Sequence, residues 1–154
     1  MIFDELNKLL KEFDRKYDIN SGGCCFVAFC IAAQLWKRGI PYKLVVLGDQ
    51  SLNHRELKMN IRNNDGYYPT GSETANHYVI QVGEYYINLG TFNLKYYEVS
   101  KASFIKPQEI YEVYRTGYWN QYYERSNNLK IYREIKKFFN RNEEKTKNFT
   151  SSQL

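Results

Sequence analysis

Histidine, proline and methionine are scarce in this chain, at two, three and two residues among 154. So few histidines leave little material for a metal centre. The cysteines do not supply it either: Cys24, Cys25 and Cys30 fall in one short segment, with no distant partner. An odd, local set of thiols is a poor disulfide framework and a poor zinc site. Neither a metal nor an organic cofactor is expected, and reduced thiols point to a cytoplasmic protein. Long hydrophobic runs are missing too. The longest, Cys24 to Trp36, contains Gln34 and is too short to span a bilayer. The segment from Met1 to Asp18 is charged and amphipathic, which excludes a secretory signal there, so no membrane partner is expected. No repeat is present, and nothing marks a second domain.

What remains is an ordinary globular composition, with 43% apolar and 25% charged residues. Phe3, Leu6, Leu10, Phe13 and Tyr17 share one face of an amphipathic helix. A second helix, from Cys24 to about Arg38, is apolar almost all round and must lie buried; Gly39 and Pro41 end it. Tyr42 to Leu47 reads as a core strand. A tight hairpin follows, with strands at about His77–Val82 and Tyr85–Asn88 joined by Gly83-Glu84. A further strand, at about Lys95–Val99, is expected beside that hairpin. Helices are expected from Pro107 to about Arg115 and from about Asn128 to Asn140. The fold class is therefore α+β: a buried N-terminal cysteine helix packed on a small antiparallel sheet, with flanking helices at both ends. Residues 1–142 form the single domain and residues 143–154 a polar, disordered tail.

The chemistry centres on Cys24. A thiol at a helix start meets unpaired N–H groups and the positive end of the macrodipole, both of which favour thiolate. A histidine can accept its proton and return it to a leaving group. His77 begins one strand of the hairpin and Asn88 ends the other, so the two ends lie side by side and the amide can hold the imidazole. Adjacent helical residues point about 100° apart, so only one of Cys24 and Cys25 can face His77. Cys30 lies two turns inside the helix and reads as an inert core thiol. The long segment before His77 offers Tyr67 and Tyr68 as substrate contacts, and Trp119 stands in an aromatic cluster that can line a groove. His54 is a rival base in a polar context.

Gly22-Gly23-Cys24-Cys25-Phe26-Val27-Ala28, followed by Gly39-Ile40-Pro41, resembles the transglutaminase-like core pattern. His77-Tyr78-Val79-Ile80-Gln81-Val82-Gly83 resembles both that family's histidine strand and the papain-like one. The resemblance covers roughly Ser21 to Gly90. It implies an acyl-enzyme on Cys24, with His77 as base and Asn88 as orienting group. Gly23 lies at the oxyanion turn, and Asn20 is a candidate oxyanion donor. Asn88 stands where transglutaminases have Asp, which moves the expectation towards a papain-like peptidase or amidase acting on a protein or peptide. Transglutaminase-type transfer to an amine, or deamidation of a protein glutamine, uses the same parts. The rival from another class is a non-catalytic binding module of the same fold. The net charge of +5 gathers towards the C-terminal end. A basic terminal helix there can contact nucleic acid, although a solvated helix face is the simpler reading.

Overall fold

A computed structural model describes residues 2–17, 24–47, 77–87, 98–103, 106–116 and 125–153. Helix α1, Ile2–Tyr17, buries Ile2, Phe3, Leu6, Leu10 and Phe13. Asp4 and Glu5 in its first turn and Arg15 and Lys16 in its last complement the helix dipole. Helix α2, Cys24–Lys37, buries ten of its fourteen residues, from Cys24 to Leu35. It ends in a Schellman motif: the Gly39 N–H donates to the Trp36 carbonyl (3.0 Å) and the Ile40 N–H to the Leu35 carbonyl (3.0 Å). Gly39 takes the left-handed conformation this requires, with φ of 67°, and Ile40 buries beyond it.

The sheet is antiparallel throughout. Strand β1, Lys43–Leu47, lies between β2, His77–Val82, and β4, Glu98–Ser103; β3, Tyr85–Ile87, pairs with the outer edge of β2. Gly83, at φ 59°, supplies the positive φ of the hairpin turn. Leu44, Tyr78, Ile80, Val82 and Ile87 join the main core under α2, whereas Val45 and Val79 belong to a separate cluster with Tyr86. That split follows from the period-two alternation of strands.

Helix α3, Pro107–Thr116, carries Pro at its first position, and the Glu109 carboxylate accepts from the Lys106 N–H (3.0 Å). It packs on α2, as does α4, Asn128–Arg141, through Ile131, Ile135, Phe138 and Phe139. A short 3-10 turn, Arg125–Asn127, leads into α4. Helix α5 follows at Glu143–Gln153.

The α+β architecture of a buried cysteine helix on a small antiparallel sheet with helices at both ends is what the structure contains. Two expectations are corrected. Residues 143–153 are helical rather than a disordered tail, because Phe149 buries against Phe3 in an edge contact (4.8 Å) and Glu143 binds Arg38. The late strand runs from Glu98 to Ser103 and pairs with β1, not with the hairpin. β1 and β3 already flank β2, so β4 takes the remaining edge of β1. The sequence also suggests one or two helical turns at Arg55 to Ile61 and an aromatic-rich helix at Tyr118 to Arg125, and of these residues only Arg125 is among those described.

Arg38 closes the corner between α2, α4 and α5. Its side chain is 5% exposed. It donates to Glu143 Oε2 (2.9 Å), the Gln34 carbonyl (3.0 Å) and side-chain Oε1 (2.8 Å), and Asn140 Oδ1 (3.0 Å). The guanidinium also lies over the Phe139 ring at 5.4 Å. At the other end of the fold, the Tyr85 hydroxyl donates to the Asp4 carboxylate and fixes α1 to β3. Burial, then this bond, raise the Tyr85 pKa to about 12.

Two substitutions test this arrangement. Phe149→Ala should lower stability by about 3 kcal/mol, as loss of a buried ring does; an unchanged denaturant midpoint would mean α5 is not docked. Gly39→Ala meets no atom within 4 Å, so its whole cost is the positive φ, about 1–2 kcal/mol. Urea melts of both variants measure these losses.

Candidate active site

Helix α2 packs on β2, and its first residue, Cys24, adjoins the backbone of Tyr78 near the start of that strand. Here the two adjacent thiols part company. The Cys25 Sγ donates to the Ile110 carbonyl of α3 (3.6 Å), inside the core. The Cys24 sulfur instead has a backbone hydrogen bond with Tyr78, in β2. That bond lowers the thiol pKa, as do the backbone groups of Cys25 and Cys24 itself. A bond that favours the charged form is one in which N–H donates to sulfur. The peptide joining His77 to Tyr78 therefore adjoins the Cys24 thiol, and backbone groups of Tyr78, Cys25 and Cys24 itself offset part of the effect of its burial.

The electrostatic balance runs against the expectation of a ready thiolate. Burial is the largest influence on Cys24 and raises its pKa above the ordinary thiol value, despite these donors. Its exposure is 8%. Cys25 and Cys30 are pushed well above it, in both cases chiefly by burial. Desolvation penalises a charge more than a few partly shared N–H dipoles can return. The position of Cys24 at a helix start does not offset the cost of taking its sulfur out of water.

His77 begins β2 and pairs with Leu47 of β1. What the described backbone brings to Cys24 is the 77–78 peptide. Asn88, Asn20, Gly23, Tyr67, Tyr68, Trp119 and His54 lie outside the described residues. Sequence reasoning missed the Tyr78 N–H as a group on the thiol; no side-chain pattern announces a backbone donor. Gln81 is a second omission. It is 7% exposed and its Oε1 accepts no hydrogen bond. Among the described residues, no cluster of His, Cys, Asp and Glu is arranged to hold a metal ion, and no helix is long and apolar enough to cross a membrane.

The chain matches no family model, no curated protein and no solved structure.

The raised pKa has a direct pH signature. In the folded protein Cys24 is a neutral thiol at pH 7, so iodoacetamide should label it more slowly than a free thiol there, with the rate still rising beyond pH 9.0, the ordinary value, where that of a free thiol levels off. Cys25 and Cys30 should react later still, on unfolding. Labelling followed by peptide mass mapping across pH 6 to 10 reads both, and fast labelling of Cys24 below pH 7 would contradict the burial argument.

Proposed function

We propose that this protein is a thiol-dependent amide hydrolase of papain-like or transglutaminase-like type, acting on a protein or peptide in a reducing, cytoplasmic setting. The supporting observation is the place of Cys24 at the first position of α2, beside the backbone of Tyr78, which is next in sequence to His77. Backbone donors there stabilise negative charge on the sulfur, and the Cys24 N–H is suited to the oxyanion of a tetrahedral intermediate. In this reading Cys24 attacks the carbonyl carbon, His77 takes the thiol proton and passes it to the departing amine, and a thioester forms. Water then attacks the thioester, the carboxylic acid leaves and the thiol is restored. Asn88 orients the imidazole. An amine in place of water would give transglutaminase-type transfer, and a glutamine side chain as substrate would give deamidation. Because the thiol is neutral at rest, proton removal accompanies attack and no standing thiolate–imidazolium pair is needed.

A second reading, a non-catalytic binding module of the same fold, is favoured by the burial of Cys24. One experiment separates them. p-Nitrophenyl acetate should acetylate Cys24, releasing p-nitrophenolate, and the thioester should then hydrolyse, both steps being visible by intact mass. Cys24→Ala should abolish acetylation with the fold retained. His77→Ala should slow it by about 10²-fold or more, the usual scale of general-base assistance. Acetylation of native protein no faster than that of glutathione would leave the binding-module reading standing.

A further inference from the structure

We infer that the outer face of α4 is a docking surface for the phosphate backbone of double-stranded nucleic acid, bound without base reading and independently of any thiol chemistry. The core-facing side of this helix is fixed by Ile131, Ile135, Phe138 and Phe139. At about 100° per residue, Lys136, Leu129, Asn140, Arg133, Lys137, Lys130 and Arg141 then fill an outward arc of about 140° centred on Arg133. All of these residues are exposed. Five of them are cations, and Glu134 at the edge of the arc is the one acid of the helix; it sits 3.6 Å from Lys137. The helix thus carries +4 (five cations less one acid) of a chain total of +5. The acids of the next helix do not neutralise it evenly: Glu143 is bound to Arg38, which leaves Glu144.

The spacing suits a polyanion. From Lys130 to Arg141 the helix rises about 16 Å, the axial length over which one strand of a duplex presents about five phosphates. A lipid surface fits less well. Interfacial helices insert an apolar face, and that face of α4 is spent on the core; Leu129 is the large apolar side chain in the arc. Single-stranded binders stack bases on exposed aromatic rings, and the arc contains none. The backbone of a duplex asks only for well-spaced, exposed cations on a rigid element. α4 is rigid because Arg38 fixes its C-terminal end through Asn140 and Phe139.

The test is fluorescence anisotropy of a labelled duplex titrated with the full chain at several salt concentrations. Engagement of about four phosphates predicts a slope of log K against log salt of about −3.6. The triple variant Lys130→Gln, Arg133→Gln, Lys137→Gln should bind at least about tenfold more weakly, with a slope near about −1. An equally neutralised control, Lys8→Gln, Lys11→Gln, Arg15→Gln, alters the charged surface of α1 and should bind like the native chain. Melting curves of both variants verify that each is folded. No binding at low salt, equal loss in both variants, or tighter binding to a single strand or to phosphatidylserine vesicles would each overturn the inference.

Discussion

A helix that is apolar on every side has to be covered on every side, and α2 imposes that constraint on the whole molecule. The sheet lies against it along β2, while α3 and α4 cover other parts of its surface. Phe29, on the least buried part of its middle turn, still touches Tyr111 of α3 (5.0 Å) and Tyr132 of α4 (6.5 Å). Fully burying a side chain of this size is worth roughly 1.5–3 kcal/mol, so ten buried positions on one helix outweigh any single polar contact elsewhere. The same constraint explains the state of the thiols. A residue at the start of such a helix inherits its dry surroundings, and the dipole at that end acts on a sulfur already out of water.

Much of the fold was legible because its patterns are local. The 3.6-residue spacing of Phe3, Leu6, Leu10 and Phe13 specified α1, and Gly39 with Pro41 specified where α2 stops. Gly83-Glu84 specified the hairpin, and Pro107 the start of α3. Residues 143–153 were opaque because their docking rests on Phe149 and on a salt bridge to a residue over a hundred positions away. A polar sequence with one apolar anchor has almost no periodicity to detect. β4 was misplaced for a related reason: Glu98 to Ser103 has little apolar alternation, and choosing an edge is a question of topology rather than of propensity.

Of the candidate site, the sequence made legible the place of Cys24 at a helix start and of His77 at a strand start, and not the physics around the thiol. The angle between consecutive helix positions correctly implied that Cys24 and Cys25 could not share surroundings, and they do not: one meets α3, the other β2. Desolvation was not legible, since it depends on what packs over the first turn of α2. Nor was the face to which each position of β2 belongs, because the register is fixed by β1 and β3 together.

The contact between Phe3 and Phe149 joins the first helix to the last. During synthesis the chain grows from its amino end, so α1 emerges long before the ring that completes its packing. Until residue 149 is made, Phe3 and Tyr85 lack an aromatic neighbour that both touch in the finished fold. Phe3 can meet Tyr85 of β3 earlier, but the edge contact with Phe149 waits for α5, and closing so long a loop carries an entropic cost. Whatever order its interior elements form in, the ring packing around Phe3 is completed only once residue 149 has been joined to the chain.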